Sequence, residues 1–253
     1  MDRKAGDEYV KRDYRVLHEA RDLHYFHIQI KETDLDIAVD QVSYQDYLIS
    51  SCQDTVRRLR AELEYYISRQ PNFRTSFVPL ALLPDAPPLA RHMAAAAAKS
   101  GVGPMAAVAG AFAQTVGEML MSQVQETIVE NGGDIYLYSK RDRLVSVFAG
   151  RSKFSGRLGI KVKAQSSPLG ICTSSGTVGP SVSLGKADAV VVLAPDTALA
   201  DAVATGAANL VQNQDDLMKA VQFAQNINGV SGILAIKDDK MAAWGDIEIV
   251  GLN

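Results

Sequence analysis

The spacing of apolar positions changes several times along the chain, and the changes divide it into elements. Over His24–Ile30, Phe26, Ile28 and Ile30 alternate with Tyr25, His27 and Gln29, which predicts a strand. Lys31–Asp34 is a polar break, and Leu35–Val39 alternates again, so the two runs form a hairpin. His24 and His27 fall on opposite faces of it and make a poor metal pair. From Ser43 the period turns helical. Tyr44, Leu48, Cys52, Thr55, Val56, Leu59, Leu63, Tyr66 and Ile67 form a stripe, and Arg57, Arg58, Arg60, Glu62 and Glu64 fill much of the rest. Asp46 in the first turn suits the helix dipole, and Pro71 ends the helix. Pro71, Pro79, Pro84, Pro87 and Pro88 then predict an irregular crossing over 71–88. Two Ala-rich helices follow, Pro88 to about Lys99 and Pro104 to about Met121, separated by Gly101-Val-Gly-Pro104.

The second half alternates between strand and helix signals. Thr127–Glu130 and Ile135–Tyr138 flank Asn131-Gly-Gly-Asp134, a tight hairpin turn. Leu144–Phe148 and Leu158–Val162 continue the antiparallel pattern around a basic turn near Gly150–Gly156. Val190–Leu193 is four consecutive apolar residues, too short for a helix core, and predicts a strand buried on both faces. Ala194-Pro195 stops it, and Asp196 or Thr197 can cap the helix that follows. A further helix over Asp215–Gln225, a strand over Ile233–Lys237 and a final strand over Met241–Val250 complete the chain. Strand runs and helix runs are grouped, so the expected class is α+β: mixed or antiparallel sheets packed with long helices, not a doubly wound sheet.

The chemistry concentrates in three places. Asp201 and Thr205 lie four apart on one helical face, and two oxygen donors suit a hard cation such as Mg2+, which keeps waters and substrate phosphates for its other positions. A solvated acid and a Thr bonded back to its own helix satisfy the same spacing. Gly101 and Gly103 expose amides at a helix start, either an anion seat or a tight helix–helix corner. The Ser166–Gly179 run offers Thr173, Ser174, Ser175, Gly176 and Thr177 to phosphate or ribitol oxygens, or is a plain surface turn. It contains no Gly-x-Ser-x-Gly elbow.

Composition narrows the options. The 253 residues carry 26 basic and 29 acidic side chains for a net charge of −3, so no cationic face for nucleic acid is forced. Two cysteines, Cys52 and Cys172, can build neither a disulfide framework nor a zinc site, which fits a reduced, cytoplasmic setting. The opening MDRKAGDEYVKRDYR is a charged lead-in without the apolar core of a signal peptide. Met93–Ala113 is interrupted by Lys99, Ser100 and Gly-Val-Gly-Pro, so no membrane span is expected.

Four motifs occur in a telling order: Gly103-Pro-Met-Ala-Ala-Val-Ala-Gly110, Glu130-Asn-Gly-Gly-Asp-Ile135, Cys172-Thr-Ser-Ser-Gly176 and Val191 through Asp201 to Thr205. Together they resemble the ApbE superfamily of flavin transferases, most closely its ApbE-related branch, over roughly residues 20–250. The resemblance implies residues 1–20 as a lead-in and 21–253 as one ApbE-like domain, with a ligand cleft between the two halves. It implies FAD or a related nucleotide, Mg2+ at its pyrophosphate, and an acceptor protein whose Thr or Ser receives FMN. Asp201 and Thr205 match the metal-binding helix; Gly103, Asn131, Gly132, Gly133, Asp134, Thr173, Ser174, Ser175 and Gly176 match nucleotide-binding positions. Ala106, and Ala111 after it, stand where the typical enzymes carry a Lys and an Asp, and no His segment follows Gly176. Those departures leave open a second reading, a flavin- or nucleotide-binding or sensory module without transfer. A third is an oligomer whose Ala-rich helices pack subunits.

Overall fold

The computed structural model describes residues 20–164, 166–177 and 184–252. All of the expected lead-in except Ala20 lies outside them, as does part of the segment between Gly176 and Gly185. In chain order the elements begin with β1 (Leu23–Ile30), β2 (Thr33–Asp40), α1 (Tyr47–Arg69), α2 (Asn72–Thr75), α3 (Pro88–Ser100) and α4 (Val108–Met121). Five strands follow: β3 (Thr127–Asn131), β4 (Asp134–Tyr138), β5 (Arg143–Ser146), β6 (Leu158–Val162) and β7 (Leu169–Ser174). The chain then forms β8 (Ala189–Ala194), α5 (Thr197–Asn209), α6 (Leu217–Gln225), β9 (Gly232–Lys237), β10 (Lys240–Gly245) and β11 (Glu248–Gly251).

Eight strands form one antiparallel sheet in the order β1-β2-β3-β4-β7-β8-β9-β10, and β11-β6-β5 form a second, smaller one. Helices cover one face of the large sheet and the small sheet covers part of the other, giving three layers and an α+β fold. Strand alternation explains why β8 is apolar throughout. Val190, Val192 and Ala194 enter the helix-side core, while Val191 and Leu193 enter the core shared with Ile160 and Val162 of the small sheet. A strand buried on both faces shows no period.

Four boundaries differ from the sequence reading, each for a local reason. The long helix starts at Tyr47, because Asp40 accepts from the Ser43 amide (2.9 Å) and holds a turn there; Asp46 is therefore the residue before the first turn. The Pro-rich crossing contains one helical turn, α2, anchored by the fully buried Phe73. A 3-10 turn over Gln214–Asp216 precedes α6 and is closed by a capping box from Asn213. The last expected strand is two strands in two sheets. Gly245, at φ +86°, turns the chain out of the large sheet into the small one, a conformation a side chain would strain.

Candidate functional site

α5 lies in the middle of the helix layer. Its alanines and glycine let it sink against β7, β8, α3 and α4, and 11 of its residues are buried. Two neighbours and the preceding residue fix its start. Asp196 caps it, accepting from the Leu199 amide (3.1 Å) and pairing with His92 Nε2 of α3 (2.9 Å). Gln114 Oε1 of α4 accepts from the Thr197 amide (2.9 Å). One turn on, Asp201 is 9% exposed and its Oδ2 accepts from the Gly110 amide at 2.9 Å. That amide belongs to the first turn of α4, where backbone donors have no partner within the helix. Gly110 is required by the approach itself: a Cβ there would lie 2.8 Å from the Asp201 Cβ and 2.5 Å from the Thr197 carbonyl oxygen.

The Asn131–Asp134 turn closes the other side. Gly132 and Gly133 adopt φ +69° and +103°, as a tight turn between β3 and β4 demands. Asn131 Nδ2 donates to the Ala109 carbonyl (3.1 Å), tying this turn to the start of α4. The Gly133 amide donates to Glu130 Oε1 (2.6 Å). Asp134 opens β4 opposite Cys172 of β7, is 7% exposed, and its Oδ1 has no hydrogen-bond partner. Cys172 Sγ donates to the Thr197 carbonyl (3.3 Å).

The electrostatics follow from that enclosure. Burial, then the Asp201 carboxylate, holds the Asp134 carboxyl well above the usual carboxylate range. Burial pushes Asp201 up to about 7, against the pull of the Gly110 and Ala109 amides. Burial, followed by the two acids, raises the Cys172 thiol. Two carboxyl groups are thus enclosed beside a thiol, and neither has an ion-pair partner among the described residues. Among those residues, no group of three or more His, Cys, Asp or Glu is arranged to hold a metal unaided.

The structure brings together Asn131, Gly132, Gly133, Asp134 and Asp201, with Thr205 half-buried one turn farther along α5. It distributes the hydroxyl run differently. Thr173 and Ser174 are strand positions: Ser174 shares its face with Cys172, toward the helices, and Thr173 faces the other way. Ser175 and Gly176 engage the approach to β8, with Gly176 N donating to the Ala187 carbonyl (2.9 Å) and Ser175 Oγ 3.5 Å from that oxygen. Gly103 is buried against Ser76, whose carbonyl oxygen lies 1.8 Å from where a Cβ would stand, so the corner reading describes it. Cys172, the first residue of the Cys-Thr-Ser-Ser-Gly motif, lies beside both carboxyl groups. Its place two residues before Ser174 on one strand face was the available signal. Two surface cavities, of about 440 and 250 Å3, lie elsewhere, one beside α6 and β10 and one beside Asp22, Asp40 and Glu126.

A family model described as "AbpE bacteria" matches residues 15–234. The chain belongs to this family. Its relatives include a UPF0280 protein of Methanocella arvoryzae, 41% identical over 218 residues, covering 86% of each chain. Another is a UPF0280 protein of Methanocaldococcus jannaschii, 40% identical over 227 residues, covering 87% of this chain and 90% of the relative. Among solved structures, the flavin transferase ApbE of Vibrio cholerae superposes with a TM-score of 0.60 at 14% identity, over 88% of this chain and 97% of that one. The apo flavinyl transferase ApbE of Pseudomonas stutzeri gives 0.58 at 12% identity, over 88% and 94%. At such identities the likeness establishes the ApbE fold, and the expected family and α+β class are borne out.

Proposed function

We propose that this chain is a Mg2+-dependent transferase acting on FAD or a related phosphorylated nucleotide, with a Thr or Ser of an acceptor protein receiving the flavin nucleotide. Asp201 and Thr205 would hold the cation, and the Asn131–Asp134 turn would face the phosphates. The observation that carries this reading is the buried Asp134–Asp201 pair: two acids without a counter-charge among the described residues, one with an unpartnered Oδ1. Isolated buried carboxylates protonate or take a cation. A small carboxylate set that leaves positions for water and phosphate is the arrangement Mg2+ favours over an all-protein cage.

The chain's own groups then have defined tasks. The Gly110 amide orients Asp201 through its hydrogen bond. Asn131 fixes the turn to α4, so the backbone of Gly132 and Gly133 is already set when phosphates arrive. Ser174, on the Cys172 face of β7, is the hydroxyl of its run that we assign to the ligand. A divalent ion held here supplies neutralisation of the charge that develops on the departing phosphate.

A second reading, a nucleotide-binding module without transfer, is favoured by Ala106. It is half-buried in the 3-10 turn Pro104–Ala107 and offers no cationic group there. One assay separates the two: incubation with FAD, Mg2+ and a Thr-bearing acceptor peptide, followed by chromatography for AMP and mass spectrometry of the acceptor. AMP release with FMN on the acceptor supports transfer. FAD retained without AMP supports the binding module, and neither outcome would contradict both.

A further inference from the structure

We infer that the outer edge of β10 is a self-association surface that pairs with β10 of a second copy of this chain, extending the eight-stranded sheet across a two-fold axis. Among the described residues, β10 ends the sheet and pairs with β9 alone. The Asp246 amide donates to the Ser231 carbonyl (2.8 Å), which continues that ladder one residue past Gly245. In an antiparallel ladder alternate residues bond inward, so Lys240, Ala242, Trp244 and Asp246 face β9 and the backbones of Met241, Ala243 and Gly245 face outward. The edge bears Met241, Ala242, Ala243 and Trp244 in succession, without the proline or bulge that commonly shields such a strand.

Charge selects both the occupant and the register. A two-fold pairing requires opposed residues to share a sheet face, so the axis passes through one residue. Centred on Ala243, it sets Ala243 against itself, Ala242 against Trp244, Met241 against Gly245, and Lys240 against Asp246. Each end of the joint therefore carries one cation facing one anion. Asp246 is exposed and has no ion-pair partner within its own chain among the described residues, and the Lys240 ammonium reaches Asp215 only at 3.9 Å. Centring on Ala242 would oppose Lys240 to Trp244 and leave both acids out. The Gly245 carbonyl is already taken by the Ile247 amide (2.9 Å). The mutual Ala243 bonds and the Gly245 amides donating to the Met241 carbonyls remain to join the copies.

The test is mass in solution by sedimentation velocity and light scattering, on the full chain, up to roughly 100 µM, where even weak pairing is populated. The wild type is expected at twice the 27.3 kDa chain mass. Ala243→Pro removes an outward amide at an edge position that tolerates proline, and is expected to give a monomer with unchanged circular dichroism. Lys240→Asp and Asp246→Lys are each expected to weaken pairing about tenfold or more, and the double swap to restore it. A monomeric wild type, a folded Ala243→Pro protein that stays dimeric, or a double swap no better than its parents would overturn the proposal.

Discussion

A buried carboxyl group resists ionisation, and here two such groups lie close enough for one charge to raise the other. Asp201 in the folded chain is raised to about 7, above its unfolded value near 3.8. A raised folded pKa contributes stability that is complete below the unfolded value and is lost as pH climbs through the folded one. The metal-free protein should therefore lose stability between about pH 4 and 7. Asp201→Asn, which keeps the shape without the charge, should melt higher than wild type at pH 8, by roughly 5 °C, in chelator. Differential scanning fluorimetry across pH checks this; equal melting temperatures at pH 8 would count against an unpaired buried charge. Gly110→Ala should go the other way despite alanine's better helix propensity. The overlap with Asp201 and Thr197 predicts a loss of about 1–3 kcal/mol in denaturant unfolding.

At the scale of elements, the site depends on how α5 is held at its start. Asp196→Ala should cost about 1 kcal/mol through the lost cap. The His92 contribution depends on pH. The hydrogen bond to Asp196 raises His92 above its ordinary value, outweighing burial. Its stabilisation is thus present below about pH 6.5 and disappears as pH rises past the raised value. His92→Gln should lower the melting temperature at pH 6 more than at pH 8.5. An equal shift at both values would remove the charge from the explanation. The elements themselves were largely legible because their periods are strong: the β1–β2 hairpin, α3 and the β3–β4 turn stand where alternation, Pro88 and Asn-Gly place them. The division between β10 and β11 was not. Trp244 to Val250 gives no pattern to mark a change of sheet, and only the Gly245 backbone, set by contact with Ser231, separates the two strands.

At the scale of the molecule, the sheet brings residues from four distant segments to one place. Ala109–Gly110, Asn131–Asp134, Cys172 and Asp201 meet because β4 and β7 are neighbours and α4 crosses α5. Local patterning could nominate Asp201 and the Gly-Gly turn. It could not show that Cys172 lies beside the acids or that the Gly110 amide donates to Asp201, since both depend on contacts between segments far apart in sequence. Among the described residues no helix is long and apolar enough to cross a membrane. The enclosed acids make the central claim directly measurable. Free Mn2+, used as a spectroscopic substitute for Mg2+, is titrated by electron paramagnetic resonance into wild type and Asp201→Ala in the presence of FAD. One ion taken up per wild-type chain, with affinity reduced about a hundredfold or more in the variant, is the expected result. Equal uptake by the two proteins would contradict the assignment of Asp201 to the cation site.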